Sequence, residues 1–198
     1  MLLILYGKTG SGKDYLAETL AKDFSHFYHV KRPTTRPKRS DKETGYYRFY
    51  TDHGFLNLIE SDDILFPKTF REWHYGVFKG ISAQARDTED CYILTVEKET
   101  AFEVADHVRN NNGLAYVVEV NAPAKTRLSR VLNREKQPDQ EEAKRRMAAD
   151  DIDYAAIRRI PDFYFSSSEE KISFQCTLAS LKVQIEYLMD KYKKGEIE

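Results

Sequence analysis

"GKTGSGKD", residues 7–14, follows directly on the apolar run "LLILY" of residues 2–6. An apolar run that ends at a glycine is typical of a strand buried on both faces. The next segment, residues 13–24, has apolar residues at helical spacing and predicts an amphipathic helix. A loop of the form G-x-x-x-x-G-K between a strand and a helix is a phosphate-binding loop. The alternative is an ordinary glycine turn of an α/β protein.

The chemistry of this loop comes from its backbone and from one lysine. Glycines allow backbone N–H groups to turn towards a phosphate, and the helix N-terminus adds a partial positive charge. Lys13 supplies a full charge to the β and γ phosphates. The residues expected to hold the phosphates are Gly7, Lys8, Thr9, Gly10, Ser11, Gly12, Lys13 and Asp14.

Asp14 stands where such loops usually carry Ser or Thr, whose hydroxyl binds Mg²⁺. A carboxylate is also a hard oxygen ligand of the kind that Mg²⁺ prefers, so Asp14 is the candidate metal ligand. A structural interpretation stays open, because Asp at the start of a helix interacts favourably with the helix dipole and can serve as a cap.

Length and charge limit the other function classes. The chain has 198 residues, with 31 Lys and Arg against 32 Asp and Glu. A balanced charge gives no overall field for nucleic acid or an anionic membrane, and no apolar stretch is long enough to span a bilayer. The two cysteines have no metal-binding spacing and fit a chain with reduced thiols. We therefore expect a soluble cytoplasmic protein without nucleic-acid or membrane partners.

Strands and helices alternate along most of the chain, which predicts right-handed parallel crossovers and a three-layer α/β fold. We expect a parallel sheet of about five strands in a single domain, with a core at 1–31 and 90–198. Residues 32–80 break the alternation and predict a small antiparallel insertion, in which 31–43 form a loop. The strands are expected near 2–6, 27–30, 46–51, 64–71, 75–78, 92–96, 114–120 and 163–165, and the helices near 13–24, 97–109, 124–135, 139–157 and 177–193.

The insertion begins with the basic stretch "RPTTRPKRSDKETGYYRFY", residues 32–50. Guanidinium groups hold a phosphate dianion bidentately, and a tyrosine hydroxyl adds another donor. Arg36 and Arg39, with Arg32 nearby, therefore predict a second phosphate site beside the first. The alternative is a solvated surface loop.

These motifs together resemble the guanylate kinase family. The resemblance extends weakly over nearly all of the chain and depends most on the loop at 7–13 and on the basic stretch, with "YG" at 75–76 and the arginine-rich region after residue 126 as weaker support. It implies a P-loop kinase fold in which the phosphate loop binds ATP and the insertion binds an acceptor nucleotide.

The resemblance also implies individual roles. Arg36, Arg39, Tyr47 and Tyr75 would bind the acceptor's phosphate. A helical lid at about 126–157 would close over the transferring group through its catalytic arginines, Arg134 and Arg146, with Arg130 and Arg145 as alternates. For these lid arginines, the alternative is surface charges paired with Glu141 and Glu142.

Two positions depart from the family. Phe66 stands where guanylate kinases place a guanine-reading Glu, and Val77 replaces the Ser after "YG". Neither side chain can accept a hydrogen bond from guanine. Glu72 would substitute in a shifted register. Glu97, near the end of a central strand, is a candidate for acceptor or Mg²⁺ binding, or simply an acidic residue at a helix start.

The leading hypothesis is an ATP- and Mg²⁺-dependent nucleoside monophosphate kinase, monomer or homodimer, with GMP or dGMP as the first candidate acceptor. A related phosphokinase acting on another nucleotide or on a phosphorylated sugar, such as ribose 1,5-bisphosphate, is the second. A catalytically silent module that binds proteins is the third. Such modules typically lose the loop lysine and lid arginines, which this chain keeps as Lys13, Arg134 and Arg146.

Overall fold

The protein is described by a computed structural model that covers residues 1–38, 44–70, 72–87, 89–133, 140–167 and 171–197. In chain order its first elements are β1 (Leu2–Tyr6), α1 (Lys13–Asp23), β2 (Phe27–His29), β3 (Arg32–Thr34), β4 (Tyr47–Phe49), α2 (Asp52–Glu60), β5 (Ile64–Phe70), β6 (Trp73–Phe78) and α3 (Ile81–Ala85). These are followed by β7 (Cys91–Thr95), α4 (Lys98–Asn110), β8 (Ala115–Asn121), α5 (Ala124–Leu132), α6 (Gln140–Ala156), β9 (Phe163–Ser166) and α7 (Lys171–Lys193).

A five-stranded sheet with the order β2-β7-β1-β8-β9 is the centre of the fold. All four of its ladders are parallel. β1 lies in the middle because each of its five residues is buried, and a strand with no polar face must be covered on both sides. The predicted parallel sheet of about five strands is confirmed.

The two faces of this sheet bury separate hydrophobic clusters. Leu3 and Leu5 point into one cluster, which α1 and α7 cover, while Leu2, Ile4 and Tyr6 point into the other, which α3 and α4 cover. This division follows from the alternation of side chains along a strand. Helix, sheet and helix form the three layers predicted from the sequence.

A second sheet of four strands, with the order β4-β3-β6-β5, lies where the alternation breaks. Two of its ladders are antiparallel, but β3 and β4 run parallel, so the sheet is mixed and not purely antiparallel. The predicted loop at 31–43 was wrong in part, because its beginning forms β3. The sequence did not predict α2 or α3.

Apart from α7, which was expected to start at residue 177, the remaining elements lie close to their predicted positions. Helix α4 begins one residue later than expected, and α7 starts at Lys171. No helix in the described ranges is both long and apolar enough to cross a bilayer. The division into core, acceptor-binding insertion and lid stays a prediction.

Gly76 in β6 tests how tightly the second sheet packs. A Cβ on Gly76 would lie 2.4 Å from the Ile64 Cγ2 atom and 3.5 Å from the Phe55 ring. We expect Gly76→Ala to lower the free energy of unfolding by about 1–3 kcal/mol through overpacking. Chemical denaturation measures this, with Gly45→Ala as control, because a Cβ on Gly45 meets nothing within 4 Å. Equal stability of both variants would contradict the packing.

Candidate phosphoryl-transfer site

The loop between β1 and α1 has the backbone conformation that the glycine spacing requires. Gly10 and Gly12 have positive φ angles of 78° and 93°, in the region that glycine adopts without a Cβ penalty. Gly12 is the N-cap of α1, and the N–H of Ser11 donates to the Lys8 carbonyl at 2.9 Å. The loop is therefore a tight turn that ends directly on a helix N-terminus.

The loop is also cradled by distant parts of the chain. A Cβ on Gly7 would lie 2.4 Å from the Val120 carbonyl oxygen, and one on Gly12 would lie 2.8 Å from Ser167 Oγ. Real Cβ contacts are not this short, so neither position accommodates a side chain. The close backbone approach fits the binding of a phosphate by main-chain N–H groups.

Arg130, on α5, braces the outer side of the loop. One Nη atom donates to the carbonyls of Gly10 and Ser11 at 3.3 and 3.0 Å and to Ser167 Oγ at 3.1 Å. The Ser11–Gly12 peptide is planar, so with its carbonyl towards Arg130 its N–H points to the opposite, inner side. Arg130 thus fixes the orientation of the Gly12 amide. Its role as an alternate lid arginine stays a prediction.

Helix α6 contacts the loop from another direction. The N–H of Thr9 donates to Asp150 Oδ2 at 2.5 Å, and Lys8 Nζ donates to Asp151 at 2.5 Å. The Lys8 hydrogen bond holds the pKa of Asp151 below its usual value. Arg146 is four residues before Asp150 and therefore lies on the same face of α6. The predicted catalytic residue Arg146 is thus on a helix that touches the loop, while Arg134 lies outside the described residues.

Asp14 is the second residue of α1 and not its cap, since Gly12 occupies the N-cap position. Its charge still lies at the positive end of the helix dipole. Burial lowers the pKa of His29 to about 4, and the carboxylate of Asp14 opposes this shift. The negative charge of Asp14 also helps to raise the pKa of Arg32. Its carboxylate therefore lies near the junction of the two sheets.

The predicted acceptor residues share one face of the second sheet. Arg32 pairs with Tyr47, and Thr34 pairs with Tyr75, and directly opposed residues of neighbouring strands lie on the same face. The guanidinium of Arg36 lies 5.4 Å from the centre of the Tyr47 ring. The structure thus brings Arg36, Tyr47 and Tyr75 to one surface, while Arg39 lies outside the described residues.

Glu97 connects this surface with the phosphate loop. It follows β7 and is the N-cap of α4, and its side chain is 61% exposed. Desolvation opposes its ionisation, but the positive charges of Arg32 and Lys13 lower the pKa of Glu97 overall. Glu97 thus lies between the loop that follows β1 and Arg32 of the second sheet, at the carboxyl edge of the parallel sheet, where ligands of open α/β folds bind.

The two positions that depart from the guanine-reading pattern are apolar and packed against the core. Val77 is 1% exposed. Phe66 has a positive φ of 51°, and its ring packs edge-on against His107 of α4 at 5.9 Å between centroids. Val77 belongs to the hydrophobic cluster that includes Leu2 and Ile4, and Phe66 packs against that cluster. Neither residue offers a hydrogen-bonding group to an acceptor base.

Several site residues escaped the sequence analysis. Asp150 and Asp151 were not singled out, Arg130 was considered only as an alternate lid arginine, and Arg32 was noted only as a neighbour of the basic cluster. The spacing of Arg146 and Asp150 was an available signal for the shared helix face. That face could not be assigned to the loop from sequence, because the contact joins residues far apart in the chain.

The loop, the parallel sheet and the cationic second sheet define a P-loop kinase. The family model described as guanylate kinase matches residues 1–182, and the chain belongs to the guanylate kinase family. This family places it among the nucleoside monophosphate kinases, and the predicted enzyme class is confirmed.

Individual relatives agree with this membership. The chain is 25% identical over 183 residues to the guanylate kinase of Mycoplasma genitalium, covering 91% of this chain and 73% of that protein. It is 27% identical over 165 residues to the guanylate kinase of Synechococcus sp., covering 79% and 74%.

Solved structures share the fold. A guanylate kinase from Anaplasma phagocytophilum superposes with a TM-score of 0.66 at 16% identity, over 96% of this chain and 86% of that one. A shikimate kinase from Bacteroides thetaiotaomicron gives 0.52 at 12% identity, over 94% and 98%. At these identities the likeness concerns the fold alone.

Arg130 provides a test of the loop geometry. We expect Arg130→Gln to weaken ATP binding by about 10-fold, because charge-assisted bonds that orient the loop amides are lost. Calorimetric titration with ATP measures this effect. The exposed Arg158 gives the matched control Arg158→Gln, which should bind ATP like the unaltered protein. An unchanged ATP dissociation constant in a folded Arg130→Gln variant would contradict the bracing role.

Proposed function

We propose that the protein transfers the γ-phosphoryl group of ATP to a nucleoside monophosphate, giving a nucleoside diphosphate and ADP in a Mg²⁺-dependent reaction. The observation that carries this proposal is the position of Glu97. Glu97 follows β7, which runs beside β1 and so ends next to the phosphate loop, and its carboxylate lies 3.4 Å from Arg32 of the second sheet. Two cationic surfaces that meet at one edge of the sheet suit a transfer between two phosphorylated ligands.

On the donor side, residues 7–13 would hold the phosphates of ATP. The Gly12 N–H, which points away from Arg130, and the N-terminus of α1 provide the donors, and Lys13 provides the charge. Asp14 would hold Mg²⁺, directly or through water, since Mg²⁺ is usually bound by one or two carboxylates together with phosphates. Mg²⁺ held there would supply positive charge that balances the phosphates during transfer.

On the acceptor side, Arg36, Arg39, Tyr47 and Tyr75 would bind the monophosphate. Phosphoryl transfer needs aligned reactants and cations around a spread negative charge, and it needs little covalent chemistry from the protein. Arg134 and Arg146 would add positive charge when α6 closes and would help exclude water, the competing acceptor. Glu97 would contact the acceptor or a water bound to Mg²⁺.

GMP and dGMP are the first candidate acceptors, since the curated relatives are named guanylate kinases. The packing of Phe66 and Val77 favours a second candidate, an acceptor other than a guanine nucleotide. Without a side chain that accepts hydrogen bonds from guanine, the N–H donors of a bound guanine would be unpaired. The loss of such hydrogen bonds discriminates strongly between substrates. Another nucleotide or a phosphorylated sugar, such as ribose 1,5-bisphosphate, fits this second candidate.

A coupled assay of ADP release tests the function directly. All common ribo- and deoxyribonucleoside monophosphates and ribose 1,5-bisphosphate are compared at the same concentration, with a water-only control for ATPase activity. The highest kcat/KM with GMP or dGMP supports the first candidate, and a preference for any other acceptor supports the second. If no acceptor stimulates ADP release, the third hypothesis, a catalytically silent module that binds proteins, is supported instead.

Lys13 gives the sharpest mutational test of catalysis. Lys13→Met should lower kcat by about 10²–10³-fold, because it removes charge stabilisation that is largest in the transition state. The exposed Lys22, near the end of the same helix, provides the control Lys22→Met, which should keep full activity. Near-normal ADP release by a folded Lys13→Met variant would refute the kinase proposal.

Asp14 can be tested by its metal dependence. If its carboxylate holds Mg²⁺, Asp14→Asn should need more Mg²⁺ for half-maximal rate, because a neutral amide is a poorer ligand for a hard cation. Asp14→Ser should remain active, since a hydroxyl is the usual ligand at this position. A Mg²⁺ titration of the rate distinguishes the roles, and an unchanged midpoint in Asp14→Asn would make Asp14 a structural residue.

A further inference from the structure

Arg32 is a buried cation at the junction between the two sheets. It is the first residue of β3, which residues 30 and 31 separate from β2, and it is only 5% exposed. A buried charge is costly unless it is paired and hydrogen-bonded. Burial opposes its ionisation, but Tyr47 and Glu97 raise the pKa of Arg32 overall. The arginine is therefore a permanent charge inside the acceptor half of the site.

The contacts of Arg32 divide between two other site residues. One Nη atom donates to the Tyr47 hydroxyl at 3.0 Å, and the other lies 3.4 and 3.5 Å from the two carboxylate oxygens of Glu97. Charge-assisted bonds of good geometry are nearer 2.7–2.9 Å, which makes this ion pair loose. In the described part of the chain, the buried Nε atom has no hydrogen-bond partner.

The hydrogen bond from Arg32 makes the Tyr47 hydroxyl a donor towards other groups. A phenol oxygen that accepts a hydrogen bond from Arg32 keeps its own proton for a different acceptor. The guanidinium groups of Arg32 and Arg36 lie 5.3 and 5.4 Å from the centre of the same Tyr47 ring. The hydroxyl proton and Arg36 are thus two donors in one place, as binding of a phosphate dianion requires.

The pairing with Glu97 removes a repulsion. The Glu97 side chain is largely exposed and ionised at neutral pH, since Arg32 and Lys13 outweigh desolvation and lower its pKa. An unpaired carboxylate beside the acceptor would disfavour a phosphate dianion. With Arg32 next to it, the charge of Glu97 is balanced from the protein side.

We propose that Arg32 is a positioning residue for the acceptor: it fixes the Tyr47 hydroxyl as a donor to a phosphate monoester dianion and balances the charge of Glu97. This inference rests on the proposed function, in that the dianion is taken to be the acceptor's phosphate. Arg32 acts through Tyr47 and Glu97 and is not a catalytic residue. The competing explanation is a purely structural ion pair that joins the two sheets.

A double-mutant cycle separates the two explanations. The variants are Arg32→Gln, Tyr47→Phe and their combination, with Arg32→Lys as the conservative change. Arg48 supplies the matched control Arg48→Gln: it neighbours Tyr47 in β4, is exposed, and lies over the Phe78 ring on the other face of the sheet. Thermal unfolding verifies that each variant is folded. Binding of GMP and of inorganic phosphate is then measured by calorimetry, and ATP binding is measured in parallel.

We expect Arg32→Gln to weaken phosphate and GMP binding by about 10-fold, with ATP binding unchanged. In the Tyr47→Phe background the same change should cost much less, because the hydroxyl through which Arg32 acts is gone. Arg32→Lys should recover part of the loss, and Arg48→Gln should bind like the unaltered protein.

Additive losses, an equal loss in Arg48→Gln, or no binding of either probe by the unaltered protein would each overturn the inference. The test does not depend on turnover. If the cycle shows coupling but no acceptor supports ADP release, the proposed kinase function fails while the positioning role of Arg32 stands.

Discussion

The approach of the loop backbone to its surroundings is the constraint on which the rest of the site depends. Gly7 and Gly12 lie so close to Val120 and Ser167 that a Cβ atom would meet them at 2.4 and 2.8 Å. Such contact is available only where the carboxyl ends of β1, β8 and β9 lie side by side, as the parallel registers of these strands ensure. The central sheet thus positions the surroundings of the loop, and the glycines allow the loop backbone to approach them closely.

Charged side chains from two helices hold the loop in place. Arg130 donates hydrogen bonds to the outward carbonyls of the loop. Carboxylates near the end of α6 accept hydrogen bonds from one loop amide and from the Lys8 ammonium. The loop is therefore held by charged side chains from two helices, one of which also carries Arg146. The contacts of Lys8 and Thr9 with Asp150 and Asp151 thus connect the loop directly with the helix that carries Arg146.

The second sheet carries buried cations on the face that includes Tyr47. Its surface is a sheet face whose cations are fixed by an aromatic ring and by one carboxylate. Arg32 and Arg36 lie on the Tyr47 ring, where the negative face of the ring favours positive charge, and Glu97 balances Arg32. Two like charges this close to one ring repel each other, so the arrangement is best satisfied by an anion. Phe66 and Val77, in contrast, are apolar and pack in or against the core.

The sequence by itself determined the elements whose signals are local. The apolar run of β1, the glycine spacing and the helical period of α1 lie within residues 2–23, and each reports on backbone geometry that its neighbours do not alter. The parallel five-stranded sheet followed from the alternation of strands and helices. The strand β3 was missed because its three residues, Arg, Pro and Thr, form no apolar pattern, and because its pairing partners are distant in the sequence. Helix α3 has only five residues, too few for a periodic pattern.

Tertiary structure alone decided which charged side chains meet. The bond from Arg130 to Gly10 spans 120 positions, the bond from Thr9 to Asp150 spans 141, and the pair of Arg32 and Glu97 spans 65. The N-cap position at Gly12, and not Asp14, likewise depends on how the folded loop enters the helix. Local propensity and spacing carry no information about such contacts, because they arise from the order of strands in the sheet and from the direction in which each helix returns to it.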